Sequence, residues 1–351
     1  MEKLLINPTG HVTQFIDKYK IWKDYKKFYH NDSTPSMVEI DHSGIPVFYY
    51  REISKINDCS SPIIGIDCLT EGLNCYKKYF SRYRKDKHYI FFSNGTWLKN
   101  SNNIDLSYDI VHHLLFLFEY ADTYLSPNRF CFYFDKKYKF EYPKPCMFVS
   151  TIGNVRTERT YFVDKLKEKL RYNNFILKYS GEDLGLPSNN LDVVNFEKGQ
   201  FDPYTNILHE YYHTVSGTLP IDMYNQAYFN IVVETDIDYV DDFFLTEKTI
   251  KALVTGIPFV VVSTPNFLKN LQQLGFTTYN QVWDESYDSI TNYNDRMEAI
   301  VDLCSNLKKL DWNFYKPQLE EIQLKNQNNF LHLNKIATQE FRHFENLIKQ
   351  L

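Results

Sequence analysis

The chain has 351 residues, 43% of them hydrophobic and 17% aromatic, with a net charge of −5; this length suits two domains that each bury a core. No run of about 18 apolar residues occurs, and residues 1–8 lack the apolar stretch of a secretory signal, so no membrane span and a cytoplasmic protein are expected. The six cysteines (Cys59, Cys68, Cys75, Cys131, Cys146 and Cys304) form no Cys-x-x-Cys pair and the histidines no ligand spacing, which reads as reduced core thiols without a zinc site.

Apolar runs at residues 3–7, 47–50, 62–67 and 88–92 predict strands, with helices over 11–28 and 70–84 between them. Such alternation predicts a parallel α/β sheet. Residues 1–146 hold 20 Lys and Arg against 17 Asp and Glu, while the remainder holds 19 against 27, so the first half is better suited to meet a polyanion. Two runs there, 18–29 and 77–89, interleave basic and aromatic residues, and the second carries Arg82, Arg84 and Lys85. Cations in such a run suit phosphates and rings suit an unstacked base. Amphipathic helices with solvated basic faces and buried rings have the same signature. Pro143 and Pro145 then mark a linker, which bounds a first domain at 1–145.

The second half restarts the pattern. A strand over 147–151 leads to an amphipathic helix over 156–172, with Phe162, Val163, Leu166 and Leu170 on its apolar face. Strands follow at 175–179 and 192–196, then a helix near 205–214, strands at 229–234 and 258–263, and helices from 295 onward. These make a second Rossmann-like domain over 146–330, followed by a terminal helix over 331–351. Within it, the stretch 229–265 is the most informative. An apolar strand ends in Glu234, Glu247 and Lys248 open a helix, and Gly256 and Pro258 lead into a buried strand. Ligands collect at the carboxyl ends of strands in such a crossover unit. Glu247 suits ribose hydroxyls, while Lys248 and the helix amides suit phosphate. An acid satisfying the helix dipole beside a solvated lysine fits as well. Arg159 lies early in a helix, where the dipole disfavours a cation; that misplacement points to function, with an ordinary surface arginine as the alternative. Tyr179, Ser180 and Gly181 follow a strand and fit a nucleotide-base loop or an ordinary turn. Asp236 and Asp238 match an Asp-x-Asp metal pattern but read as a solvated loop.

Glu234, then Leu245-Thr246-Glu247-Lys248, then Gly256-Ile257-Pro258 resemble the donor-site signature of GT-B glycosyltransferases, most closely the α1,3-fucosyltransferase type. Residues 89–95 and 106–110 resemble that family's acceptor-domain strand and the loop beyond it. Residues 146–151 and 159–166 resemble the entry to its donor domain, and 267–279 the segment closing the site. In composition the chain also resembles phage-encoded glycosyltransferase-like proteins. The resemblance implies an α/β GT-B fold, with two Rossmann-like domains facing a central cleft and the last helix crossing back to the first. It implies transfer of a sugar from a nucleotide diphosphate sugar to a hydroxyl, without metal or other cofactor. Lys248 and Arg159, which falls where the family's pyrophosphate arginine falls, are then the catalytic cations, with Arg156 one turn away. Glu247 holds the ribose; Glu234 lines the donor pocket, orients Lys248, or accepts loop amides.

The family places a glutamate just beyond the strand that matches residues 90–92, whereas this chain has Ser93-Asn94-Gly95. Asp67 is the replacement candidate for the general base, with Glu71 behind it, although either also fits as a helix cap. Asn94, Arg82, Arg84 and Lys85 are expected to meet the acceptor. A 5-hydroxymethylpyrimidine of phage DNA is the leading acceptor, in an infected host cell. A glycan acceptor is the alternative, as is a non-catalytic nucleotide- or nucleic-acid-binding protein of the same fold.

Overall fold

In the computed structural model the described residues are 6–7, 45–69, 79–95, 105–112, 114, 137–152, 156–170, 175–179, 182–183, 221–238, 243–330 and separate positions within 332–350. The chain divides into two compact units, Met1–Leu115 with Asn334–Leu351, and Phe116–Leu333. Each contains a sheet of mainly parallel strands.

In the first unit β1 (Ile6–Asn7), β2 (Ile45–Tyr49), β3 (Ile63–Cys68), β4 (His88–Ser93) and β5 (Ser107–His112) are all parallel and lie side by side in chain order. A short helix, α1 (Ile53–Asp58), lies between β2 and β3. The interiors of β3 and β4 are continuously buried, as expected for parallel strands covered on both faces. Gly65 permits the close approach of β2, since a Cβ there would stand 2.6 Å from Val47 Cγ2. Among the described residues the strands of this sheet run in sequential order, with no reversal and so no switch point. The stretch that resembled a loop, 106–110, is instead largely β5; Ile110 and Val111 are buried beside polar neighbours, which suits an edge strand. C-terminal residues reach this strand, with a His343 Nε2 contact to Ile110 O at 3.0 Å and Leu114 N donating to Glu340 Oε1 at 3.2 Å.

The second unit has β6 (Cys146–Ile152), β7 (Phe175–Tyr179), β8 (Glu182–Asp183), β9 (Ala227–Val233) and β10 (Phe259–Val262), in the order β10-β9-β6-β7-β8. Only β8 runs antiparallel to its neighbour. Its helices are α2 (Thr157–Leu170), α3 (Ile221–Asn225), α4 (Glu247–Thr255), α5 (Phe267–Gln273), α6 (Tyr293–Asn306) and α7 (Trp312–Phe330). The chain steps from β6 to β7 in one direction and later adds β9 on the other side of β6. Right-handed crossovers therefore place α2 and α4 on opposite faces. Accordingly, α2 packs against α6 and α4 against α7. Phe162, Val163, Leu166 and Leu170 of α2 are buried, as their spacing predicts.

Side-chain amides of α7 finish neighbouring helix ends, whose last carbonyls have no partner within their own helix. Gln327 donates to Val254 O at 3.1 Å, Gln323 to Thr255 O at 3.0 Å, and Asn329 to Leu274 O at 2.9 Å. Gly256 closes α4 in the left-handed region (φ 74°), with Gln323 packed where a side chain would stand. Residues 137–145 dock on this unit: Tyr138 N donates to Thr255 O and its hydroxyl to Ala227 O. The segment expected to be a linker is thus packed structure. The predicted helices 11–28 and 205–214 and the strand 192–196 lie outside the described residues. Among the described residues, no helix is long and apolar enough to cross a membrane.

Candidate functional site at the carboxyl edge of the second sheet

Strand order in the second sheet reverses between β6 and β9, and ligands in open α/β sheets collect at the carboxyl edge of such a reversal. Both flanking helices begin at that edge, α2 following β6 and α4 following β9. Arg156 Nη1 donates to Thr235 O at 3.0 Å, and Arg159 Nη2 to Glu234 O at 2.9 Å. Two cations at the start of one helix are therefore held by the carbonyls leaving the strand across the reversal. Arg159 is buried. Arg156 keeps 30% of its side chain exposed and stands 3.7 Å from the buried carboxylate of Asp236. The expected solvated loop at 236–238 needs correction here: Asp236 is buried, with an arginine against it, and only Asp238 faces solvent.

Glu234 is fully buried at the end of β9. Its Oε1 accepts from Thr246 N (3.4 Å), Thr249 N (3.3 Å) and Thr249 Oγ1 (2.6 Å), while Oε2 accepts from Thr246 Oγ1 (2.5 Å) and Thr235 N (3.3 Å). Thr246 is also the N-cap of α4, accepting from Lys248 N at 3.4 Å. The Lys248 and Thr249 amides, expected to face phosphate, are instead turned onto Thr246 and Glu234. The physical reason is that a helix start favours an anion, and the preceding strand already supplies one.

Charge recognition at this edge therefore falls to side chains. The Lys248 ammonium donates to Glu247 Oε1 (2.9 Å), Thr235 Oγ1 (3.1 Å) and Thr246 Oγ1 (3.2 Å), which occupies its three protons. It remains 24% exposed and Glu247 13%, so both are within reach of a ligand. Burial pushes the Glu247 carboxyl up, but the Lys248 charge and hydrogen bond, aided by Lys251, hold it below the ordinary carboxylate value. Lys251, one turn further along α4, is buried; desolvation and, to a lesser degree, repulsion from Lys248 bring its ammonium down to about 8 against the pull of Glu247.

Arg296 was not singled out in the sequence, yet it underlies the edge beside this site. Its buried guanidinium donates to Ile237 O (2.6 Å), Ser263 O (3.1 Å), Ile290 O (2.7 Å) and Thr291 O (3.2 Å). It thereby ties the chain leaving β9 to the chain leaving β10 and to the approach to α6. The signal available in the sequence was a cation in register with Ile300 and Cys304, both on the buried stripe of α6.

In the first unit, Asp67 is buried near the carboxyl end of β3 and its Oδ1 accepts from Leu69 N at 3.1 Å, so the carboxylate caps the chain as it leaves the strand. Asn94 is buried just past the carboxyl end of the adjacent β4. These two share one edge of the sheet. Arg82, Arg84 and Lys85 immediately precede β4 and so lie at its amino edge; the structure does not bring them together with Asp67 and Asn94. Arg84 makes two bonds to Asp86 (2.8 and 2.5 Å), Lys85 pairs with Asp105, and Arg82 lies over the Tyr79 ring at 5.7 Å. Tyr83 and Tyr89 from the same run are buried and stacked at 5.2 Å, so these rings belong to the core. Tyr179 ends β7, whereas Ser180, Gly181, Glu71 and the run 18–29 lie outside the described residues.

Among the described residues, no group of three or more His, Cys, Asp or Glu side chains is placed to hold a metal ion. No protein-family model matches the chain, and no curated protein matches it.

Proposed function

We propose that this protein is a GT-B glycosyltransferase that moves a sugar from a nucleotide diphosphate sugar to a hydroxyl acceptor. The observation that carries this reading is the convergence of Arg156 and Arg159 from one side of the switch point with Glu247 and Lys248 from the other. In such a transfer the acceptor oxygen bonds to the anomeric carbon as the bond to the diphosphate breaks. The bonding electrons and their charge go to the departing phosphate oxygen, and the hydroxyl proton goes to a base. Fixed cations aimed at that oxygen stabilise the transition state. Lys248 and the partly exposed Arg156 are positioned for this, Glu247 suits the ribose hydroxyls, and buried Arg159 anchors the strand end beneath them. These side chains supply the charge that a metal would otherwise contribute.

The acceptor we favour is a 5-hydroxymethylpyrimidine in duplex DNA, on the strength of the positive balance of residues 1–146. A second reading, a nucleotide-binding protein without turnover, is favoured by one observation. Asp67, the candidate base, is buried and committed to Leu69 N. Calorimetric titration with the uridine, guanosine, cytidine and adenosine diphosphates tests the donor site common to both readings. One of them should bind, and Lys248→Met should weaken that binding by about tenfold or more, the worth of a charge-assisted contact. Absence of binding by all four nucleotides would remove the donor-site reading.

A further inference from the structure

The hydrogen-bond directions around Glu234 prescribe how Lys248 is held. Both carboxylate oxygens are surrounded only by donors: amides of Thr235, Thr246 and Thr249, and the hydroxyls of Thr246 and Thr249. A threonine hydroxyl has one proton to give. That of Thr246 goes to Glu234 Oε2 at 2.5 Å, so its lone pairs face the other way, onto Lys248 N (3.4 Å) and Lys248 Nζ (3.2 Å). Thr246 and Thr249 are buried, which leaves solvent no part in fixing these directions.

We propose that Glu234 and Thr246 form a positioning relay, in which the buried carboxylate polarises the hydroxyl and the hydroxyl aims the Lys248 ammonium at the site. Neither residue touches the ligand; both act through Lys248. The relay rests on the donor-site reading only for the identity of the anion it serves. When a diphosphate arrives, Glu247 is the acceptor that yields, because its carboxylate repels the incoming anion whereas the Thr235 and Thr246 hydroxyls are neutral. Thr235 and Thr246 then keep the ammonium in place on its remaining protons. The Lys248 and Thr249 amides stay committed to Thr246 and Glu234 throughout, so the lysine carries much of the recognition that an open helix start would otherwise provide.

Thr246→Val keeps the shape and removes the oxygen, Thr246→Ser keeps the oxygen, and Glu234→Gln reverses the hydroxyl. In that last variant the new amide donates to Thr246 Oγ1, and the threonine proton turns toward the ammonium. Two measurements read the consequence. The first is the acylation rate of Lys248 by acetic anhydride, followed by peptide mapping relative to exposed Lys309, and it needs no ligand. The second is calorimetric binding of inorganic pyrophosphate.

Thr246→Val should raise the relative Lys248 rate and weaken pyrophosphate each by about tenfold, the worth of one hydrogen bond to a charged group. Thr246→Ser should return both to within about twofold of the parent, with circular dichroism unchanged across the pair. Unchanged Lys248 reactivity in Thr246→Val, or a serine variant as defective as the valine one, overturns the relay. A changed Lys248 rate in a protein that binds no pyrophosphate supports the relay and counts against the donor-site reading. The threonine pair decides the matter even if Glu234→Gln does not fold.

Discussion

Replacing Arg296 with methionine fills similar volume but removes every donor from four carbonyls: Ile237, Ser263, Ile290 and Thr291. A hydrogen bond from a charged donor contributes about 1.5–3 kcal/mol net, so a simple sum overstates the loss. The guanidinium also carries a cost of its own, since desolvation lowers its pKa, with only partial relief from Asp238. Leaving a buried acceptor without its partner costs about 1–3 kcal/mol, and with the guanidinium desolvation relieved the four carbonyls place Arg296→Met at about 3–5 kcal/mol. For a unit of this size each kcal/mol moves Tm by about 2–4 °C, which predicts a fall of about 6–20 °C in thermal denaturation followed by circular dichroism. Arg296→Lys, with three donors on a point charge, should fall between the two. A loss under about 3 °C for the methionine variant would refute the view that this side chain ties together the carboxyl edge.

Burial, aided by Asp288 and Asp284, pushes the Glu285 carboxyl up to about 7 against the hydrogen bonds it accepts from Thr278 and Tyr279. Between its ordinary value near 4.5 and 7 the folded protein holds the extra proton, so stability from this group is full below that window and is lost as pH rises through it. Glu285→Gln should flatten that decline by up to about 3 kcal/mol between pH 4 and 8 in urea titrations; parallel pH profiles for the two proteins would count against it. In gel shifts with duplex DNA, changing Arg82, Arg84 and Lys85 to alanine should reduce the salt slope by about one unit for each phosphate left without its cation. No DNA binding by the parent at low salt would instead move the acceptor to a glycan.

The strands at 88–93, 227–233 and 259–262 were legible because parallel strands buried on both faces read as nearly continuous apolar runs, and Phe175, Ile176 and Leu177, all buried, marked another. Arg159 was legible for the opposite reason, being a cation where a helix start repels it, and Arg156 drew notice one turn away from it. β5 was obscured because its polar residues alternate with few apolar ones and its residues resembled a loop. Strand order, which places the switch point between β6 and β9, depends on pairings between residues far apart in the chain that no local pattern encodes. For Glu234, acceptance of loop amides was among the readings, but which amides it captures, 12 and 15 residues later, was not legible. Arg296 escaped notice because its carbonyl partners lie on three separate segments.

Sugar transfer is tested by incubating the protein with a panel of nucleotide diphosphate sugars, with hydroxymethylated DNA or oligosaccharides as acceptors, and measuring nucleoside diphosphate release with and without EDTA. The expected result is release from one donor, dependent on one acceptor class, unaffected by EDTA, and slowed about 10²-fold or more in Lys248→Met with its fold intact. Full loss in EDTA restored by Mn²⁺ would turn attention to Asp236 and Asp238, and no release from any donor with either acceptor class would contradict the claim of sugar transfer.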